Sequence, residues 1–383
     1  MNIVLVTPFD LAATGGVSTA VRMLCAEFSG KGHHISVLLA GQTNRIVKLD
    51  SQMGIPCVGI YLRVPFIERA RLRGIFTFFF FLPITIGRLR RFVQENKIDA
   101  VAIQYPMPWM FYFGALRKLG LKKLVVTLQG NDVHDLPEYH WIDRLLVKWL
   151  LKNADCVVAV SKSLHDKVRQ IFAGIEIGTD IVPNGAPIGS TEERVDSRSE
   201  TVPKPYILTV GQIIHRKGMD LLIRALKRAR DQGQVLNLVI VGEGPEQASL
   251  ATEARELGVS DQVFFAGNQS HNETLAFFRQ CSFFALASRA EGLPLVIVEA
   301  MANGKAVVAT RIDGVPEIVL DGVTGLLVEP ENPQLLAEAL IKLHVDVDLR
   351  ERLARQGHER AVAQYSWERI AGRYLTLFER QPT

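Results

Sequence analysis

The chain has 383 residues, of which 48% are hydrophobic and 22% charged, and its formal net charge is +4 at pH 7. This length favours two domains of about 150 to 200 residues each, and the composition excludes a mainly disordered chain. The mild positive charge comes without zinc-ligand spacings or RNA-binding aromatic motifs, so we expect no nucleic-acid partner. The four scattered cysteines indicate a reducing compartment, and the first residues resemble a strand and not a secretory signal. We therefore expect a cytoplasmic protein.

Strand-like and helix-like segments alternate along the first half of the chain. An apolar run at 3–9 is followed by a helical pattern that opens at Gly15 and Gly16 and ends at Gly30. Further apolar strands are predicted at 35–40, 101–105, 123–129, 156–161 and 181–185. Continuous apolar strands separated by helices predict a parallel sheet that is covered on both faces.

The most apolar segment, 75–86, contains Pro83 and is too short, at twelve residues, to span a bilayer. Between residues 61 and 95 there are seven arginines and two glutamates, a local charge of +5. A buried helix with a solvated basic flank is one interpretation. The other is a surface that rests on anionic lipid, where aromatic rings enter the interface and arginines meet phosphates.

A polar segment at 188–205 ends in two prolines and is predicted to be a linker. Apolar strands then resume at 206–211, 236–242, 263–267, 281–288, 306–310 and 324–329. We expect an α/β protein with an N-terminal domain over 1–187, a second domain over 206–365 and a C-terminal helix over 366–383 that folds back onto one of them. Both domains are predicted to be doubly wound parallel sheets, and the cleft between them is the expected ligand site.

Two motifs follow the first strands of the two domains. Gly15 and Gly16 allow close approach of a ligand to the backbone, and the helix that they open favours an anion; a plain turn explains them as well. Arg216 and Lys217 lie between a strand and a helix, where cations can reach a phosphate. Two solvated loop cations are the alternative.

A third motif follows the strand at 281–288, where Pro294 suits the first turn of a helix that runs to about Ala302. The amides of Gly292 and Leu293 are then free at the carboxyl end of the strand, which suits a diphosphate.

Two carboxylates, Glu291 and Glu299, lie in this otherwise apolar segment. Because carboxylates beside a phosphate would repel it, we expect both to accept hydrogen bonds from hydroxyls, one from a ribose diol and one from a sugar. A structural ion pair is the alternative for Glu299.

A polar cluster lies at the carboxyl end of the predicted strand at 123–129. Enzymes with parallel sheets place reacting groups at such strand ends. The members of the cluster are Gln129, Asn131, Asp132, His134 and Asp135. The ordinary polarity of a loop also explains this composition.

In order and spacing, these motifs resemble the retaining GT-B glycosyltransferases of family 4, also called glycosyl transferases group 1. The resemblance covers nearly the whole chain and rests on Glu291-Gly292-Leu293-Pro294 with Glu299 eight positions on, followed by VVATRIDGVPEIVLDGVTGLLVEP. The glycine pair, VPNG at 182–185, RKG at 216–218 and VGEGPE at 241–246 agree with it. It implies the GT-B fold, in which two Rossmann-like domains face a central cleft.

The resemblance also implies an activity and its partners. A hexose or N-acetylhexosamine would pass from a nucleotide diphosphate sugar, a UDP-sugar before GDP-mannose, to an acceptor hydroxyl with retention of configuration. The acceptor would be a glycan or a lipid-linked glycan at the inner membrane face, in polysaccharide, lipopolysaccharide or glycolipid synthesis. Neither a metal nor a cofactor is expected.

Roles carry over onto single residues. Glu299 would bind the ribose, Glu291 the donor sugar, and Lys217 with the amides of Gly292 and Leu293 the diphosphate. The nucleobase would lie near 241–244 and 267–269. The resulting donor-binding set is Gly15, Gly16, Arg216, Lys217, Gly242, Asn268, Gly292, Leu293 and Glu299, and the catalytic set is Glu291, Asp132 and Gln129.

Two positions depart from the family pattern. Gln212 stands where an arginine is common, so we expect Arg216 to replace that cation. Gln129 stands where a histidine is often found at the reacting centre, so Asp132 or the acceptor side must contribute more. A sugar-nucleotide epimerase, a phosphorylase and a donor-binding protein without catalysis are the alternatives.

Overall fold

The computed structural model describes residues 1–13, 15–40, 47–52, 54–63, 72–173, 178–186 and 202–380. They form two compact units, one of Met1–Asn184 with Trp367–Thr383 and the other of Gly185–Ser366. Most of the predicted linker, 188–201, lies outside the described residues, and so does 64–71 of the arginine-rich segment. Within the described ranges, no helix combines the length and the apolar character needed to cross a membrane.

The first unit contains an eight-stranded sheet with the order β3-β4-β2-β1-β5-β6-β7-β8. All neighbours are parallel except β3 and β4, which are antiparallel. The strands are β1 (Asn2–Thr7), β2 (His34–Ala40), β3 (Val47–Gln52), β4 (Ile55–Ile60), β5 (Ala100–Gln104), β6 (Lys123–Leu128), β7 (Cys156–Ala159) and β8 (Thr179–Ile181). The predicted parallel sheet is confirmed, and β3 and β4 are additions to it.

Seven helices are described in the first unit. They are α1 (Gly16–Gly30), α2 (Leu72–Glu95), α3 (Phe111–Lys118), α4 (Asn131–His134), α5 (Trp141–Lys152), α6 (Lys162–Ile171) and α14 (Trp367–Glu379). The last of them, at the C-terminus, packs beside α1 and against β6 in the core, because its apolar face carries Trp367, Ile370, Tyr374 and Phe378.

Over residues 78–95, where its side chains are described, helix α2 is buried on one side. Phe78 and Leu89 lie in the interior, whereas 62% of Phe79 and 67% of Phe80 is exposed. The interpretation of this segment as a buried helix is therefore wrong for the exposed phenylalanines.

The second unit contains six strands, all parallel, in the order β11-β10-β9-β12-β13-β14. They are β9 (Tyr206–Val210), β10 (Asn237–Val241), β11 (Val263–Gly267), β12 (Phe283–Leu286), β13 (Val307–Thr310) and β14 (Leu326–Val328). Each was predicted, with ends that differ by up to two residues. The strand order reverses between β9 and β12, and such a switch point is where open parallel sheets bind ligands.

The helices of the second unit cover both faces of its sheet. They are α7 (Met219–Asp231), α8 (Gln247–Glu256), α9 (His271–Gln280), α10 (Leu295–Ala302), α11 (Val315–Ile318), α12 (Pro333–Val345) and α13 (Val347–Tyr365). Local sequence explains their starts. At α9, for example, Ser270 accepts a hydrogen bond from the Glu273 amide while the Glu273 carboxylate accepts one from the Ser270 amide, which is a capping box.

Replacing Phe378 by alanine is expected to lower the free energy of unfolding of the first unit by about 3 kcal/mol, because it leaves a cavity in the core. The ring is buried, and its centroid lies 5.9 Å from that of Phe28. Chemical denaturation measures the change. Thr376→Ala, at an exposed position of the same helix, is the control and should shift stability by no more than about 0.5 kcal/mol. Equal effects of the two substitutions would contradict this account of the packing.

Candidate functional site

The loops that follow β9 and β12 lie side by side, because these strands are parallel neighbours. The first loop contains a 3-10 turn, His215–Lys217, before α7 begins. The second runs from Ala287 to Pro294, after which α10 begins. The amide of Arg289 donates a hydrogen bond to the Arg216 carbonyl oxygen over 2.8 Å, so the two loops are joined directly.

At this edge of the sheet, the backbones of neighbouring loops are in close contact at two glycines. Gly218 has a φ of +62°, and a Cβ there would lie 2.0 Å from the Ala287 carbonyl oxygen. Gly242 has a φ of +134°, and its Cβ would lie 2.0 Å from the Gly211 carbonyl oxygen. Both positions therefore require glycine on steric grounds alone. For Gly242, predicted to lie near the nucleobase, packing explains the residue without a ligand.

Lys217 and Glu291 form an ion pair across the two loops. The Lys217 Nζ lies 2.6 Å from Oε1 of Glu291, and 18% of the lysine side chain and 10% of the glutamate side chain are exposed. Ser288 Oγ donates to the same carboxylate oxygen over 2.7 Å, and the Glu291 amide donates to Asp313 over 2.8 Å. Lys217, which was predicted to bind the diphosphate, and Glu291, which was predicted to bind the donor sugar, are thus neighbours.

The amides of Gly292 and Leu293 have no hydrogen-bond acceptor among the described residues. Helix α10 begins at Leu295, with Pro294 as its N-cap, one residue later than predicted. Free amides and a helix N-terminus lie together here, which is the arrangement that binds anions in proteins.

Glu299 lies on α10 and is partly buried. Burial raises the pKa of its carboxyl to about 7. No hydrogen bond or ion pair reaches its side chain from the residues that the structure describes, so the alternative of a structural ion pair finds no partner there. A carboxylate in this state has its acceptor capacity available for a ligand.

Two other predicted donor-binding positions, Arg216 and Asn268, lie in this unit, and so does Gln212, which departs from the family pattern. Arg216 is partly buried in the 3-10 turn beside Lys217. Gln212 and Asn268 are exposed, and the amide of Asn268 donates to Glu243 over 3.3 Å.

In the first unit, the glycine pair stands after β1, and the strand order of that sheet reverses between β1 and β5. Helix α1 begins at Gly16, with Gly15 as an N-cap that has no capping side chain. Both glycines are exposed.

The polar cluster after β6 is held by internal hydrogen bonds. Asp132 is 1% exposed and accepts from the amides of Gln129 and Gly130. Burial raises the pKa of Asp132 to about 7, although these hydrogen bonds act in the opposite direction. The Gln129 side chain donates to Gln104 over 2.8 Å and accepts from Asn184 over 2.6 Å. The predicted catalytic groups Gln129 and Asp132 thus have intramolecular partners.

Sequence reasoning missed Gln104 and Asn184 as members of this network. Gln104 is fully buried and also donates to Thr127, whose hydroxyl is 3.0 Å from that of Tyr374 on α14. A glutamine at the end of the otherwise apolar strand AVAIQ was the available signal.

Known proteins place the chain in a family. The profile described as "Glycosyl transferases group 1" matches residues 190–360, and that described as "Glycosyl transferase 4-like domain" matches residues 15–185. An uncharacterized glycosyltransferase of Methanocaldococcus jannaschii is 30% identical over 76% of this chain and 78% of its own length. The chain therefore belongs to the glycosyl transferases of group 1.

Two further proteins are similar to this chain. A GDP-mannose-dependent alpha-(1-6)-phosphatidylinositol monomannoside mannosyltransferase of Mycolicibacterium smegmatis is 28% identical over 77% of this chain and 80% of its own length. The structure of Anabaena HepE in complex with UDP matches with a TM-score of 0.77 and 20% identity, over 98% of this chain and 99% of that chain. Both units of our structure follow the GT-B fold of such enzymes.

Replacing Glu299 by glutamine is expected to flatten the pH dependence of the unfolding free energy between about pH 4.5 and 7. The unfolded chain ionises this carboxyl near its ordinary pKa of 4.5, whereas burial raises the folded pKa to about 7. The native protein therefore loses stability as the pH rises through this window. The loss is on the order of 2 kcal/mol, since one pKa unit corresponds to about 1.4 kcal/mol and partial exposure reduces the effect. Denaturation of both proteins across this pH range measures it, and identical profiles would contradict the prediction.

Proposed function

We propose that the protein transfers a hexose or N-acetylhexosamine from a nucleotide diphosphate sugar to an acceptor hydroxyl. One observation carries the proposal: Lys217, Glu291 and the free amides of Gly292 and Leu293 lie together where the strand order reverses. A cation and unpaired amides suit a diphosphate, and a carboxylate suits sugar hydroxyls. Membership of group 1 supports the same reaction class.

The diphosphate is both ligand and leaving group in this proposal. The bond between the sugar C1 and the diphosphate oxygen breaks, and the acceptor oxygen bonds to C1 on the same face. The acceptor proton passes to the departing diphosphate, so no protein nucleophile is required. Lys217 and the amides of Gly292 and Leu293 stabilise the charge that develops on the diphosphate, and loss of one such donor typically costs about 100-fold or more in rate. Retention of configuration and independence of metal and cofactor are parts of this proposal.

Glu299 binds the ribose in the proposed complex. Its carboxylate has no partner among the described residues, and a ribose diol supplies two donors. Hydrogen bonds to the ionised form would lower the raised pKa again, so nucleotide binding and ionisation of Glu299 support each other.

The donor is proposed to be a UDP-sugar, with GDP-mannose second. The UDP complex of HepE supports the first and the GDP-mannose dependence of the mycobacterial relative the second. A panel of UDP- and GDP-sugars, followed by thermal shift and by detection of released nucleoside diphosphate with a membrane extract as acceptor, tests the proposal. The proposal would be contradicted if no donor gave either released nucleoside diphosphate or a glycosylated product.

Donor binding without catalysis is the second candidate, and the hydrogen bonds around Gln129 favour it. Both polar ends of this side chain already have partners, Gln104 and Asn184. A protein of this kind would bind a nucleoside diphosphate in calorimetry and release none from any donor.

Glu299→Ala is expected to raise the KM for the donor about tenfold or more, because it removes hydroxyl contacts that exist before and during transfer. Glu291→Ala is expected to lower kcat more than it changes KM, because Glu291 contacts the sugar that reacts. Steady-state kinetics with the donor identified in the panel separates the two constants. Equal changes of KM and kcat in both variants would contradict this division of roles.

We further propose that the first unit rests on an anionic membrane that carries a lipid-linked acceptor. Phe80, Ile84, Arg88 and Arg91 are all exposed on α2 and recur at helical spacing along one face. Aromatic rings thus precede arginines on the same face, which suits insertion at the lipid interface beside phosphates. The name of the mycobacterial relative includes a lipid, phosphatidylinositol monomannoside, which is consistent with such a surface.

The double variant Arg88→Glu with Arg91→Glu is expected to abolish most binding to vesicles that contain phosphatidylglycerol. Each arginine near an anionic surface contributes about 1 kcal/mol, so reversal of two charges should weaken binding more than tenfold. Flotation with and without the anionic lipid measures this.

The matched control reverses two exposed arginines on other helices, Arg355→Glu with Arg369→Glu. It changes the net charge by the same amount and should keep vesicle binding. Equal losses in both double variants, or no binding of the native protein to anionic vesicles, would contradict the proposed surface.

A further inference from the structure

Arg289 joins the two loops of the candidate site. Its guanidinium donates to both carboxylate oxygens of Asp220 over 2.8 Å each and to the His215 carbonyl oxygen over 2.6 Å. Its Nε lies 2.5 Å from a carboxylate oxygen of Glu331. Only 16% of the side chain is exposed, so these bonds are made largely away from water.

The partners of Arg289 flank Lys217 on both sides. His215 begins the 3-10 turn that ends at Lys217, and Asp220 is in the first turn of α7. The backbone amide of Arg289 adds the bond to the Arg216 carbonyl oxygen. Arg289 itself stands two residues before Glu291. It therefore connects the segment that contains Lys217 to the loop that contains Glu291 and the free amides.

The electrostatics of Asp220 agree with a strong contact. Burial alone would raise its pKa, yet the hydrogen bonds and charge of Arg289, with a smaller contribution from Arg224, hold the pKa of this carboxyl below its ordinary value. Bidentate pairing of arginine with a carboxylate fixes direction as well as distance, which a lysine cannot do.

We infer that Arg289 is a positioning residue, which holds the turn His215–Lys217 against the loop after β12 so that the Lys217 ammonium stays beside the amides of Gly292 and Leu293. The inference rests on the proposed donor site and concerns the diphosphate part of the donor. Arg289 acts through Lys217 and does not touch the donor, because its guanidinium is already committed to Asp220, Glu331 and the His215 carbonyl oxygen.

The chain offers a matched control in Arg117 of the first unit. Arg117 also donates bidentately to an aspartate, Asp155, over 2.6 and 2.7 Å, and to a carbonyl oxygen, that of Leu121, over 3.1 Å. Its side chain is 26% exposed, close to the exposure of Arg289. Arg117→Met therefore removes a similar set of bonds from a unit that carries neither Lys217 nor Glu291.

The experiment measures the affinity for UDP and for GDP by calorimetry. It compares the native protein with Arg289→Met, Lys217→Ala, the double variant and Arg117→Met. Arg289→Met should bind the tighter of the two nucleotides at least about tenfold more weakly, because a displaced binding group loses most of its contribution. Arg117→Met should stay within about twofold of the native affinity, since it lies in the other unit. The double variant should bind like Lys217→Ala.

Several outcomes would overturn the inference. These are native affinity in Arg289→Met, an equal loss in Arg117→Met, and additive losses in the double variant, since additivity would mean that Arg289 does not act through Lys217. Arg289→Lys, which keeps the charge and loses the bidentate geometry, takes the place of Arg289→Met if the latter does not fold, with the same criteria. If the native protein binds neither UDP nor GDP, the proposed function itself fails and the inference fails with it.

Discussion

The arrangement of the candidate site depends on one constraint, the parallel pairing of β9 with β12. This pairing brings the carboxyl ends of two strands together although the residues that follow them, Lys217 and Glu291, are 74 positions apart in the chain. Glycine at 218 allows the first loop to lie against the backbone at Ala287, and any larger residue would separate the loops. The ion pair, the free amides and the contacts of Arg289 all follow from this adjacency.

The charges at this edge of the sheet suit a ligand that has an anionic group between two polar, uncharged parts. Lys217 and the amides of Gly292 and Leu293 supply positive potential in a small region, and the Glu291 carboxylate balances the lysine. Glu299 lies further along α10 without a partner among the described residues, and its raised pKa reflects the cost of that burial. A ligand with an anionic centre between two hydroxyl-bearing ends satisfies each of these groups, and a nucleotide diphosphate sugar has this form.

Much of the fold was predictable because strands of a parallel sheet are continuous apolar runs, and the six strands of the second unit were all found in this way. β3 was missed because VKLDSQ is polar, as suits an edge strand, and β4 because IPCVGI contains a proline at a position that interrupts a strand pattern. The motifs around Lys217 and Glu291 could be read from the chain. Their direct pairing, the role of Arg289 and the partners of Gln129 could not, since each depends on contacts between segments that are distant in sequence.

The central claim is that the amides of Gly292 and Leu293 receive the diphosphate of the donor. Amide resonances of the isotopically labelled protein test it directly, in titrations with UDP, with GDP and with the matching nucleosides, which lack phosphate. The account predicts that a nucleoside diphosphate shifts the resonances of Gly292 and Leu293 strongly and that the nucleosides leave them nearly unchanged. Unchanged resonances at saturating UDP and GDP, or equal shifts with a nucleoside, would contradict it.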